Sequence, residues 1–287
     1  MRKSKNLDIT RPINNKEIKI CLDNLDKNGY CKIDNFLTKK TLDNLLELVI
    51  TNYNKINING KKRYPGTPNR DIRDKIIYNL QNIDILFLDL LSSNSITSIS
   101  KKKLNDPFYR FLPEDKPNYV LKYYNARSSG SKLDLHIDSH IPYIGKFSST
   151  MQFVVLLEDS YVENGCTIVV PGSHKSGKFT DRKSSNITNL EGNAGDLIIW
   201  DSRLWHGTNE NVSGASRWAL VATLSMWWVK PSMDIIRSMN EGIYAQCSDQ
   251  QKQLLGFCSI PPSNPEERTN TKTGYKFLKK TIREYNL

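Results

Sequence analysis

The stretch Leu133–His140 reads LDLHIDSH, and within it His136 and Asp138 flank Ile137. In an extended strand residues i and i+2 project to the same face, so an imidazole and a carboxylate would aim together at one point. The chain holds four histidines, His136, His140, His174 and His206. His206 lies in LWHGT, shortly after the apolar run DLIIWD. A His-x-Asp pair with a distant histidine matches the two-histidine, one-carboxylate facial triad, which binds non-heme Fe(II) on one side and leaves the other side open. A buried histidine bonded to a nearby aspartate is the competing reading of the pair alone.

Arg217 adds to the pattern. It falls eleven residues after His206, across the turn-like NENVSGAS, where a hairpin would return it to the same face. Thr208 is two residues after His206 and shares its side in an extended chain. A guanidinium fork and a hydroxyl together make a receptor for a carboxylate held away from the metal. The neighbours Trp218, Ala219 and Leu220 predict a buried strand, where an unpaired arginine is costly. A bound dicarboxylate meets that need.

The elements that must position these residues change character along the chain. Residues 1–13 read as loose. Ile18, Cys21, Leu22 and Leu25 follow helical spacing from Asn14, and Asn28-Gly29 ends that helix. A short strand, Tyr30–Ile33, follows. Thr38 is a fair N-cap for a second helix with Leu42, Leu45, Leu46, Val49, Ile50 and Tyr53 on one stripe. Asn57 to Arg70 reads as a loop and Ile83 to Leu91 as a helix. From Asn118 the period becomes two, with candidate strands at 119–125, 133–138, 150–158, 166–170, 196–201 and 217–228. Many short strands with Gly-rich turns point to a sandwich or barrel. After Pro231 the pattern is helical again, ending in a Pro-rich loop and a basic tail. The expectation is one domain over 1–287: a mainly helical part (1–115), a β core (116–230), and C-terminal helices with the tail (231–287).

Composition narrows the partners. The net charge of +11 over 287 residues is spread rather than clustered, which favours solvated surface lysine over a nucleic-acid site. No apolar run reaches the roughly 18 residues of a membrane span. The N-terminal segment has charge but no apolar core, so no secretory signal is read and the cytoplasm is expected. Five cysteines, odd in number and without a CxxC pair, are expected to be reduced and packed.

Three blocks make the sequence similar to the phytanoyl-CoA dioxygenase family of Fe(II)/2-oxoglutarate-dependent oxygenases. They are LDLHIDSH, ENGCTIVVPGSHKSG (Glu163–Gly177), and NAGDLIIWDSRLWHGTNEN followed by SRWAL (Asn193–Leu220). Weaker echoes are NGYCKIDNFL and QQKQLLGF. The resemblance implies a mainly β, double-stranded β-helix (a cupin-like jelly-roll) with helical flanks, so an α+β protein overall. It implies iron ligation by His136, Asp138 and His206, with 2-oxoglutarate held at its far carboxylate by Arg217, helped by Thr208. Tyr124 resembles a position where relatives place a polar side chain on the cosubstrate, though Tyr123 or Lys122 could be the inward residue instead. Gln152 contacts cosubstrate or substrate on this reading, or is simply a polar residue in a sheet.

The implied reaction consumes 2-oxoglutarate and O₂, releases succinate and CO₂, and hydroxylates an unactivated carbon, with desaturation or cyclisation as the related alternatives. Because Asp138 is present, halogenation is not expected. No segment resembles a coenzyme A motif, so a small polar metabolite is the expected partner. A nucleic-acid demethylase of the same superfamily would carry a second arginine six residues after Arg217, where this chain has Thr223. A protein-modifying oxygenase and a catalytically silent jelly-roll binding module are competing functions for the same fold. His140 is a possible substrate contact and His174 is read as structural. Trp200 and Trp205 are read as core or pocket wall. Arg127 and Arg203 are the cations placed best to meet an anionic substrate, with the surface as their competing fate.

Overall fold

The computed structural model describes residues 8–58, 74–109, 112–231, 233–261, 264 and 266. Helix α1 (Asn15–Asn28) starts at a capping box, with the Asn14 side chain accepting from the Glu17 N–H and the Glu17 carboxylate accepting from the Asn14 N–H. It ends where Gly29 takes a left-handed φ of 87°. The chain then folds straight back as β1 (Tyr30–Ile33). That tight return brings Cys21 and Cys31 to a Cα separation of 5.3 Å, and the two are joined by a disulfide. The expectation of reduced cysteines is therefore corrected for this pair, while Cys166, Cys247 and Cys258 are buried.

The supposedly loose N-terminal part is pinned at its end: Thr10 bridges Leu37, and the Arg11 N–H donates to Phe36. Helix α2 (Lys39–Ile58) follows, with the Thr38 hydroxyl accepting from the Thr41 N–H. Strand β2 (Lys75–Tyr78), a 3-10 turn (Leu80–Asn82), α3 (Ile85–Leu91) and α4 (Asn94–Leu104) complete the first part. Periodicity had indicated α3 but neither β2 nor α4. The loop expected at Asn57 to Arg70 falls largely outside the described residues, as does most of the tail.

The β region comprises β3 (Val120–Ser128), β4 (Leu133–His136), β5 (Thr150–Leu156), β6 (Thr167–Val169), β7 (Thr188–Leu190), β8 (Leu197–Asp201), β9 (His206–Thr208) and β10 (Ala219–Ser225). These form two antiparallel sheets, ordered β1-β8-β5-β10-β3-β2 and β4-β9-β6-β7. Short helices α5 (Ile235–Ser238), α6 (Glu241–Tyr244) and α7 (Asp249–Leu254) close the described chain. No helix among the described residues is long and apolar enough to cross a membrane.

The central strands β5 and β8 of the six-stranded sheet are buried on both faces, which explains why they read as continuous apolar runs. Phe153, Val155, Ile199, Leu220 and Leu224 face outward into a core shared with Leu45, Val49, Phe87 and Leu88 of the helices. Val154, Leu156, Ile198, Trp200 and Ala219 face inward, toward Val169 and Leu190 of the smaller sheet. The inward face is where the polar residues of the site collect.

Candidate metal centre and its cavity

Strand pairing brings the two distant histidines together. His136 on β4 is the direct cross-strand partner of His206 on β9, and their ring centroids lie 4.2 Å apart. Strand β4 ends at His136, two residues before the expected end. The chain beyond it is held by the Ser202 carbonyl, which accepts from the N–H groups of both Asp138 and Ser139. Asp138 is thereby turned onto the histidines: its Oδ1 is 3.5 Å from His136 Nε2 and its Oδ2 is 3.2 Å from His206 Nε2. Ligand atoms of the three residues all lie within 4.8 Å of one another.

The histidines present the correct nitrogens. His136 Nδ1 is 2.9 Å from the Asp134 carbonyl, and His206 Nδ1 is 2.9 Å from the Leu204 carbonyl. A carbonyl can only accept, so each ring carries a proton on Nδ1 and turns Nε2 toward Asp138, where a bound metal would replace the Nε2 proton. Burial pushes the Asp138 carboxyl up, but the positive charge and hydrogen bonds of His206 and His136 outweigh it and hold the group well below the usual carboxylate range. Burial pulls His136 down, yet its bonds to Asp138 and the Asp134 carbonyl leave it above its ordinary value. Three converging donors with a negative charge among them suit a divalent cation.

A cavity of about 290 Å³ opens beside this cluster between the two sheets. Arg217, Thr208, Thr167, Ser131 and Asp74 line one end. The Arg217 N–H donates to Ser128 Oγ, which sets the residue just ahead of β10. Burial draws the guanidinium below its ordinary value, only partly offset by Cys166 and Asp74. Its Nε is buried without a hydrogen-bond partner among the described residues, as is Asn125 Nδ2 on the inward face of β3. Two orphaned donors are a demand for an acceptor-rich ligand. The Thr208 hydroxyl accepts from the Leu133 N–H and lies 3.5 Å from the Ser131 carbonyl, so it braces β4 as well as lining the cavity.

At the other end a polar row crosses the sheet. Tyr123, Thr223 and Gln152 are register partners on β3, β10 and β5. Gln152 Nε2 donates to Asp138 Oδ2 at 2.7 Å, the Thr223 hydroxyl donates to Gln152 Oε1 at 2.6 Å, and Gln152 Nε2 lies 3.2 Å from the Tyr123 oxygen. Gln152 thus bonds to the carboxylate of the triad.

Tyr124 is not in the cavity. It is buried in the helical core, edge-on to Phe87, with its hydroxyl unpaired among the described residues. The cause is a β-bulge: Thr223 pairs with Tyr123 but Leu224 with Leu121, so Lys122 is an extra residue. The extra residue inverts the alternation, sending Tyr124 to the core and Tyr123 to the cavity. Lys122 is buried nearby, and burial lowers its ammonium despite the opposing pull of Asp138.

The remaining candidates sort out as follows. Arg203 is not at the surface. It is buried and binds Asp201 through Nε and Nη2 at 2.9 and 2.7 Å, with its guanidinium 4.4 Å from the Tyr143 ring centroid. Arg127 lines the cavity and Trp200 forms its wall. His174 is buried in a 3-10 turn, and His140 is exposed with its Nε2 3.2 Å from Lys122 Nζ. Asn125, Ser131 and Asp74 were missed by sequence reasoning. Asn125 could have been found by alternation from Tyr123, whereas Asp74 arrives from a distant segment with no local signal.

The two facing antiparallel sheets, with the cavity between them, define a double-stranded β-helix of the jelly-roll type. The chain belongs to the phytanoyl-CoA dioxygenase family, whose model matches residues 25–219. It is 31% identical over 107 residues to the uncharacterized protein Rv1501 of Mycobacterium tuberculosis, a match covering 37% of this chain and 39% of that one. It is 24% identical over 192 residues to dioxygenase af480 of Aspergillus fumigatus, covering 64% and 59%. The aligned part thus spans less than two thirds of each of these relatives. HygX from Streptomyces hygroscopicus, solved with nickel and 2-oxoglutarate bound, shares the fold at a TM-score of 0.56 and 14% identity, over 77% of this chain and 90% of that one.

Proposed function

We propose that this protein is an Fe(II)- and 2-oxoglutarate-dependent dioxygenase that hydroxylates an unactivated carbon of a small polar metabolite, releasing succinate and CO₂. The observation that carries this reading is the convergence of His136, Asp138 and His206 within 4.8 Å, all on the wall of one cavity with Arg217. The family membership and the nickel- and 2-oxoglutarate-bound relative support it.

When bound, iron with 2-oxoglutarate and O₂ supplies the oxidising power that no amino-acid side chain has. The protein's part is to hold and enclose. His136 and His206 offer Nε2, Asp138 offers a carboxylate oxygen, and Gln152 fixes the orientation of that carboxylate. Arg217 takes the far carboxylate of 2-oxoglutarate, which satisfies its orphaned Nε, and Asn125 offers a second donor nearby. Trp200, Val154 and Leu156 keep water from the space between them. A cavity of about 290 Å³ suits a dicarboxylate and the near end of a small substrate.

The test is incubation of the protein with Fe(II), 2-oxoglutarate and a fractionated metabolite pool, following succinate and any metabolite that gains one oxygen. Iron-dependent succinate with such a product is the expected result. No iron-dependent loss of 2-oxoglutarate, with or without metabolites, would sink the reading.

A further inference from the structure

Two arginines line the cavity, and the reaction proposed above employs one of them. Arg217 closes one end. Arg127 stands on β3 on the same face as Tyr123, since residues 123, 125 and 127 alternate inward past the bulge. Its cross-strand partner on β10 is Ala219, itself a cavity residue. Arg127 is half-buried and lines the cavity directly, so its side chain has open space before it.

The Arg127 Nε donates to Asn125 Oδ1 at 2.9 Å, which anchors the guanidinium. Nη1 and Nη2 make no hydrogen bond or ion pair among the described residues. Both acids that line the cavity are engaged elsewhere. Asp74 accepts from the N–H groups of Gly130 and Ser131 and from the Ser131 hydroxyl, while Asp138 belongs to the metal cluster. Burial raises the Tyr123 hydroxyl, Asp138 adds to the rise and Arg127 opposes it, so the guanidinium acts at the metal-side end of the cavity.

The charges of the cavity leave room for one more anion. Three cations line it, Arg127, Lys132 and Arg217, against the two carboxylates of Asp74 and Asp138. A divalent metal and a doubly charged 2-oxoglutarate cancel, so the loaded cavity keeps one surplus positive charge. A guanidinium edge with two idle donors matches the two oxygens of a carboxylate.

We propose that Arg127 binds a carboxylate of the substrate through Nη1 and Nη2, and so selects small carboxylic acids. The inference rests on the oxygenase reading above and narrows its substrate class. A phosphate monoester, with about 1.5 to 2 negative charges at pH 7, overshoots the single surplus charge.

The test uses protein loaded with Co(II) and 2-oxoglutarate and titrated calorimetrically with acetate, inorganic phosphate and acetamide, the neutral counterpart of acetate. The parent should bind acetate at one saturable site, at least tenfold more tightly than acetamide and more tightly than phosphate. Arg127→Met should weaken acetate at least tenfold and leave cobalt and 2-oxoglutarate affinities within threefold. Arg127→Lys, which keeps the charge and gives up the fork, should fall between parent and Arg127→Met. If Arg127→Met does not fold, the acetate-to-acetamide ratio decides, large in the parent and smaller in Arg127→Lys. Equal acetate binding by parent and Arg127→Met means the anion sits on the cobalt and overturns the proposal. A 2-oxoglutarate affinity that falls as far as the acetate affinity also overturns it, because Arg127 then serves the cosubstrate. Acetamide or phosphate binding as well as acetate, or a loaded parent with no saturable acetate site, has the same force. A parent that takes up neither cobalt nor 2-oxoglutarate refutes the oxygenase reading itself, and this proposal with it.

Discussion

Replacing Gln152 by leucine isolates the support of the metal cluster from the cluster itself. The side chain is buried at 1% exposure, and its amide donates to Asp138 Oδ2 at 2.7 Å while accepting from Thr223 at 2.6 Å. A hydrogen bond to a charged group contributes about 1.5–3 kcal/mol net. At about 1.4 kcal/mol per tenfold, its loss corresponds to a roughly 10- to 150-fold weaker metal site. That range overlaps the roughly 10- to 100-fold cost of removing an outer partner of a metal ligand. Leucine also strands the Thr223 and Tyr123 hydroxyls, so global stability should fall by about 1–3 kcal/mol.

Two measurements separate these effects. Anaerobic cobalt titration reads the affinity and the ligand-field spectrum, and urea unfolding of the metal-free protein reads the fold. Thr223→Val should weaken the metal less, because it frees the Gln152 carbonyl without removing the donor to Asp138. A Gln152→Leu protein that folds and binds cobalt within twofold of the parent, with an unchanged spectrum, would refute the reasoning. In that case Gln152 would be a sheet residue and Asp138 would need no help.

Arg217→Met should raise the Kd for 2-oxoglutarate by about 30-fold or more, the lower end of the 2–5 kcal/mol for truncating one partner of a buried charge pair, and leave cobalt affinity within a few-fold, as measured by calorimetry. Gly165 has a φ of +89°, and an added Cβ would lie 2.9 Å from the Asn209 carbonyl and 3.2 Å from Arg217 Nε. Gly165→Ala should therefore cost at least about 1–2 kcal/mol in urea unfolding and also weaken 2-oxoglutarate, whereas a purely backbone effect would spare the ligand. Burial holds the His174 imidazole below its ordinary value, reinforced by Arg203 and Lys175 against the opposing pull of Asp201. Below about pH 6.5 the unfolded chain then takes up a proton that the native state refuses, so stability falls as pH drops toward the lowered native value. His174→Gln should flatten that part of the unfolding profile, and an unchanged slope would mean the histidine is not the group responsible.

Much of the site was legible because its signals are local. His-x-Asp in an expected strand, a histidine after a second strand and an arginine before a third are signals read from short segments, and β4, β8 and β10 formed near the expected positions, although Asp138 lies beyond the end of β4 and is turned inward by the Ser202 carbonyl rather than by alternation. α1 was equally legible, since its capping box and its terminal glycine lie within the segment itself. Tyr123 and Tyr124 show where such reading stops. Both are tyrosines in one strand, and only the pairing of β3 with β10 reveals the extra residue that decides which one faces the cavity.

The sequence by itself settled which residue types could gather around a metal, because donor chemistry and strand alternation are properties of a short segment. Three things were left to the tertiary structure: the inward turn of Tyr123, the Gln152–Thr223 support of Asp138, and the meeting of Cys21 with Cys31. Each depends on register or on a chain reversal between segments, and no residue carries that information alone. A single inserted position in one strand inverts every side chain beyond it.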